Sequence, residues 1–139
     1  MTNAINLSRG LFYVMSNDQT LTSLVDSKYM KPLVADNGTP YPFIVYTREG
    51  VNPTNGTKDG YLGDYVQFRI DIVSDKYINV LDIAQRVREL FERRIVLMPE
   101  QYLQLVNCTM SGINESWDSD AYIQQLRFTA TACNYVAQQ

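Results

Sequence analysis

Between Gln67 and Phe91 the hydrophobic pattern changes period, and that change restricts the chain to folds in which a strand feeds straight into a helix. Val66, Phe68, Ile70 and Ile72 alternate with Gln67, Arg69, Asp71 and Val73, the period of two of a half-buried strand. After Ser74-Asp75, the residues Tyr77, Val80, Leu81, Ala84, Val87, Arg88 and Phe91 recur at spacings of three and four, which predicts an amphipathic helix. Burying Tyr77, Val80, Leu81, Val87 and Phe91 on a sheet face is worth roughly 1.5–3 kcal/mol per side chain before entropy. Ser74-Asp75 is expected to cap the helix, and Arg93-Arg94 to end it, where cations suit the carbonyl end of its dipole.

The segments on either side supply the remaining layers. Leu7, Leu11, Val14 and Met15 trace one face of a helix from about Ala4 to Ser16, closed by Asn17-Asp18, residue types that favour helix ends and turns. A short helical turn from Leu21 to Val25 offers Leu21, Leu24 and Val25 to the core. Pro32 limits Tyr29 to Val34 to an extended edge segment, and Asp36 to Pro40 is dense in turn formers. Phe43 to Thr47 reads as a strand that Gly50 ends. The stretch from Asn52 to Gly60 has little to bury and predicts a long loop between two strands, which either binds something or orders on assembly, or is slack that the fold tolerates. Ile95 to Met98 is apolar, Pro99 interrupts, and Leu103, Leu105, Met110 and Gly112 resume as a strand whose irregular alternation predicts a kink or bulge. Trp117 to Asp120 predicts a hairpin turn. In the last strand Tyr122, Gln124, Leu126, Phe128, Ala130 and Ala132 oppose Ile123, Gln125, Arg127, Thr129 and Thr131, and Val136 to Gln139 is a tail.

The expected fold is therefore one α+β domain over residues 1–139: two layers, an about four-stranded, mainly antiparallel sheet with helices packed on one face, and a long loop between the first two main strands. A chain of 139 residues is long enough for a continuous core without metal or disulfide staples. The sheet face left uncovered carries Gln67, Arg69, Asp71, Gln125 and Arg127, polar but sparsely charged, suited to water or to another subunit.

Composition narrows the function. The net charge of -3 argues against an adhesive surface for duplex nucleic acid, which needs clustered Lys and Arg. No basic-then-apolar leader and no 18-residue apolar run occur, so the chain is expected in the cytosol where it is made, with no membrane partner. The five Asn-x-Ser/Thr matches, beginning at Asn6, Asn37, Asn55, Asn107 and Asn114, then carry no glycosylation meaning, and Cys108 and Cys133 are expected to be thiols. The chain has no histidine, the commonest general base and transition-metal ligand. Gly56, Gly60 and Gly63 fit neither nucleotide fingerprint. Asp64, Asp71 and Asp75, or Asp118 and Asp120, are the acids that a magnesium-dependent nuclease would use, but no lysine stands two residues beyond an acid on the next strand. No catalytic residue, metal or cofactor is expected.

With these residues in view, the sequence resembles the phage tail completion family, also called tail terminator or tail-to-head joining proteins. Two N-terminal helical segments lead to Pro42-Phe43-Ile44-Val45-Tyr46, similar to the family's Pro-Tyr-aliphatic-Val-Tyr entry to its first main strand, with Phe43 in place of tyrosine. A loop, the strand Val66 to Ser74, the helix Tyr77 to Val87 and a closing pair of strands follow in the family's order. The run Ile95 to Leu105 is longer than the family's. The resemblance implies a virion protein of a long-tailed phage or prophage: a ring of six copies that caps the head-proximal end of the tail tube, contacts the tube protein and the head-tail connector or stopper, and lets DNA pass without binding it. On this basis Asn52, Asn55, Lys58, Asp59 and Tyr61 are candidate assembly residues facing the channel or tube, and Gln67, Arg69, Asp71, Gln125 and Arg127 a candidate interface. A stopper or minor tube protein on the same scaffold is the alternative, and a metal-dependent nuclease a more distant one.

Overall fold

The computed structural model describes residues 2–53 and 63–135. A 3₁₀ turn at Ala4–Asn6 runs into helix α1 (Leu7–Ser16), then α2 (Gln19–Leu24), a 3₁₀ turn at Ser27–Tyr29, strand β1 (Met30–Pro32), β2 (Phe43–Pro53), β3 (Asp64–Ser74), α3 (Tyr77–Phe91), β4 (Val96–Met98), β5 (Leu103–Asp118) and β6 (Ala121–Asn134). The strands form a single sheet in the order β1-β2-β3-β6-β5-β4. Among the described strands only β1 and β2 pair in parallel; the other pairs are antiparallel.

Six strands replace the expected four: β1 lies within Tyr29 to Val34, expected as an extended edge segment, and β4, like β1, is three residues long, too short to show a period in sequence. The four long strands are those expected. Helix α1 touches both β2 and β4, which stand four strand spacings apart, roughly 19 Å in a flat sheet against a helix about 10–12 Å wide. The sheet is therefore curled around α1. Gly10 leaves the room that the Met98 side chain occupies, since a Cβ there would collide with Met98 Sδ.

The core follows the period-two pattern. Val66, Phe68, Ile70 and Ile72 of β3 and Leu126, Phe128, Ala130 and Ala132 of β6 are buried under the helices. Phe68 stacks on Phe128, with ring centroids 5.1 Å apart, and meets Phe91 of α3 edge-on at 5.4 Å, contacts worth about 0.5–1.5 kcal/mol each beyond burial.

The buried stripe of α3 is Val80, Ile83, Ala84, Val87 and Phe91. Tyr77 and Leu81, expected inside, are 40% and 41% exposed, because the stripe is centred on Ile83 and Ala84. Tyr77 packs instead on Tyr122 and donates to Glu115. Helix α3 begins after Lys76, which makes no side-chain cap. Ser74 Oγ accepts from the Lys76 amide at 3.2 Å, two positions before the N-cap, so the expected cap at Ser74-Asp75 does not form. The helix closes at Phe91, short of Arg93-Arg94, and Arg88 pairs with Glu92 at 2.8 Å.

In α1 Leu7, Leu11 and Met15 are buried as expected and Val14 is half-buried. Leu21 and Val25 enter the core, whereas Leu24 is exposed. Asp18 caps α2 by accepting from the Leu21 amide at 2.9 Å and clasps Arg86 of α3 at 2.6 and 2.8 Å, tying the first two helices to the third.

Two irregularities shape the functional face. Gly50 does not end β2, which continues to Pro53. The register slips between Arg48 and Gly50, so Glu49 is the extra residue of a bulge. In β5 the expected bulge is double, between Val106 and Thr109 and between Met110 and Gly112. The hairpin turn is confined to Ser119-Asp120, both left-handed, at φ 51° and 62°, the signature of a two-residue type I′ turn. Trp117 and Asp118 still belong to the strand.

Candidate assembly surfaces

The side chains between those of the core point to the opposite side of β3 and β6. Arg69 stands opposite Arg127, Asp71 opposite Gln125 and Gln67 opposite Thr129, so all five expected sheet-face residues share one surface. Two arginines directly across an antiparallel pair repel. Glu49 resolves the conflict: its carboxylate lies 3.3 Å from Arg69 and 3.4 Å from Arg127, while Arg69 also lies 3.2 Å from Asp71. Burial pushes the Asp71 carboxyl above its ordinary range, opposed by the nearby Arg69, the Gln125 hydrogen bond and Arg127. The result is an electrically balanced lattice of two cations and two anions.

Glu49 is the member that sequence reasoning missed. An isolated glycine inside a strand pattern signals a bulge, and Gly50 supplies that signal. With no Cβ at Gly50 to meet Gln67 Oε1 at 2.8 Å, the Gln67 side chain lies across the bulged strand.

Of the candidate loop residues, Asn52 is exposed near the end of β2. Asn55, Lys58, Asp59 and Tyr61 lie outside the described residues.

The acids considered for metal chemistry do not converge. Asp64 accepts from Thr2 Oγ1 at the start of β3, Asp71 is engaged by Arg69, and the two are seven positions apart along one strand, roughly 23 Å. Asp75 sits beside Ser74, and Asp118 and Asp120 flank the hairpin turn. Among the described residues no group of three or more Cys, Asp or Glu could hold a metal ion. Cys108 and Cys133 remain thiols. Burial, with Glu92 nearby, pushes Cys108 up to about 12, far from a reactive thiolate.

The described edges of the sheet carry exposed apolar side chains. Leu33 and Val34 lie beside β1, Ile95 and Leu97 at β4, and Ile113 and Trp117 on the outer half of β5. No described helix is long and apolar enough to cross a membrane.

No family model matches the chain, and no curated protein matches it in sequence. Solved structures do share its fold. A component of the virion of a native gene transfer agent particle superposes with a TM-score of 0.73 at 15% identity, over 91% of this chain and 93% of that one. A second solved protein matches with a TM-score of 0.56 at 10% identity, over 94% and 99% of the two chains.

Proposed function

We propose that this chain is a structural protein of a phage-like virion, and within the particle a member of the tail completion group: copies of it form a ring, six in number, that caps the head-proximal end of the tail tube and joins it to the head connector. The observation that carries this role is the likeness of nearly the whole chain to a virion component, in agreement with the order of segments in the sequence. The geometry is compatible with it. The ion lattice of Glu49, Arg69, Asp71 and Arg127 offers neighbouring subunits or a channel a face of no net charge, beside which DNA would pass without being held. The stretch from Asn52 to Gly63 is assigned to contact with the channel or the tube. The role is one of docking, without catalysis.

Purified protein mixed with isolated tail tubes and imaged by electron microscopy tests the position. Decoration of one tube end, with head joining restored, is the expected result. Decoration along the tube would make it a minor tube protein, binding to heads alone would make it a stopper, and either outcome refutes the assignment. Deleting Asn55 to Asp59 should leave a folded protein that fails in joining. Infectious particles at normal yield would refute the loop's role.

A further inference from the structure

The outer edge of β5 is open beyond Met110. Strand β4 covers Leu103 to Leu105, the Arg93 amide donates to the carbonyl of Cys108, and Glu92 accepts from the Met110 backbone. From Ser111 to Asp118 every residue is exposed, and β6 is the only described strand beside them. The hairpin turn fixes which backbone groups face outward. Asp118 pairs with Ala121 across it, and a pair so close to its turn exchanges hydrogen bonds directly. Alternation along the ladder then gives Ser116 and Asn114 their bonds to β6 and points the N–H and C=O of Trp117, Glu115 and Ile113 away from the sheet. None of these groups has a hydrogen-bond partner among the described residues. Such a row is a template for another strand.

The same three residues turn their side chains to the helix side of the sheet. Ile113 stands opposite the buried Leu126, Glu115 opposite Gln124 and Trp117 opposite Tyr122. Glu115 Oε1 accepts from Tyr77 of α3 and from Gln124, and Trp117 meets the Tyr122 ring edge-on at 4.7 Å. Helix α3 does not reach far enough to cover them, and Ile113 and Trp117 are 47% and 55% exposed. The edge therefore reads apolar, acidic, apolar on its helix side. It is also acidic as a whole: Glu115, Asp118 and Asp120 belong to it, and no Lys or Arg occurs between Arg94 and Arg127. The cations on neighbouring elements, Arg88 and Arg127, are paired with Glu92 and Glu49.

We infer that the rim of β5 from Ile113 to Trp117 takes up an extended, basic segment of a different protein as a further strand, an interaction that stands whether or not the chain caps a tail. Backbone bonds to Ile113, Glu115 and Trp117 hold the segment. Directly opposed side chains share a face, so the segment carries apolar residues against Ile113 and Trp117 and a Lys or Arg against Glu115. A second copy of this chain does not suit the rim, because two rims side by side set acids against acids. Strand β1, at the other end of the sheet, cannot supply the partner edge either. The Met30 amide donates to Ser27, and Pro32, which has no N–H, gives its carbonyl to the Val34 amide.

Nuclear magnetic resonance titration of the isotope-labelled full chain tests the contact and detects weak binding. The probes are the end-blocked peptide Thr-Val-Thr-Lys-Thr-Val-Thr and its counterpart with Glu in place of Lys, each added to millimolar concentration at low salt. The Lys peptide should shift the amide signals of Ile113, Glu115 and Trp117 and slow their hydrogen exchange. The Glu peptide should bind roughly threefold or more weakly, the scale of one cross-strand charge pair, and Glu115→Lys should remove that preference. Should this variant fail to fold, the two peptides compared on the unchanged chain decide the matter. No shift at these amides, equal binding of the two peptides, or a preference that survives in the folded Glu115→Lys variant would overturn the inference. So would shifts of the same amides on concentrating the protein without peptide, which would place a second copy on the rim. Each of these failures leaves the tail-capping role, which is tested on tail tubes, standing.

Discussion

Glu49→Gln isolates the charge that holds the polar face together. Its carboxylate lies 3.3 Å from Arg69 and 3.4 Å from Arg127, and those arginines are direct cross-strand partners. Two cations gathered on one carboxylate repel by at most about 4 kcal/mol at an effective dielectric of 20, and by less here because both are partly exposed to water. Each half-exposed ion pair is worth about 0.2–1 kcal/mol. Losing both, with the repulsion unmasked, should cost about 1–2 kcal/mol. With a urea slope of roughly 1–3 kcal/mol per molar, the unfolding midpoint falls by about 0.3–2 M.

The measurement is urea unfolding followed by circular dichroism at two ionic strengths. The loss should be largest near about 0.01 M and shrink near about 1 M, where the screening length falls to about 3 Å. Adding Arg127→Gln removes the repulsion, so the double variant should lie closer to the parent than the sum of the single losses by more than about 0.5 kcal/mol. Additive losses, or a midpoint unchanged at low salt, would refute the account of Glu49 as the bridge.

Phe68→Ala removes a fully buried ring in contact with Phe91 and Phe128 and should cost about 3–5 kcal/mol, read from calorimetric or chemical unfolding; a loss under about 1 kcal/mol would mean that the cluster collapses into the gap. The Asp18 carboxyl is held below its ordinary range, chiefly by the Arg86 hydrogen bond, so its folded value lies under the unfolded ~3.9. Its contribution to stability is present above about pH 4 and lost as pH falls through the folded value, and Asp18→Asn should flatten the acid limb of the stability curve. Asp71 has the opposite sign: its raised value means that stability falls as pH climbs from about 4 through the folded value. Asp71→Asn should remove that downward slope, and an unchanged slope would show that the burial of Asp71 is not what controls its titration.

The parts of the fold legible in sequence are those whose cause is local. The alternation in β3 and β6, the change of period after Ser74 and a turn within Trp117 to Asp120 each follow from a few neighbouring residues. Strands β1 and β4 have no period to display and exist because a longer strand holds them. The start of α3 after Lys76 and not at Ser74-Asp75, and the exposure of Tyr77 and Leu81, depend on how α3 rolls on the sheet, which spacings of three and four do not determine. Gln67, Arg69, Asp71, Gln125 and Arg127 could be placed on one face from alternation alone. Glu49 could not, because the bulge that presents it is a relation between β2 and β3.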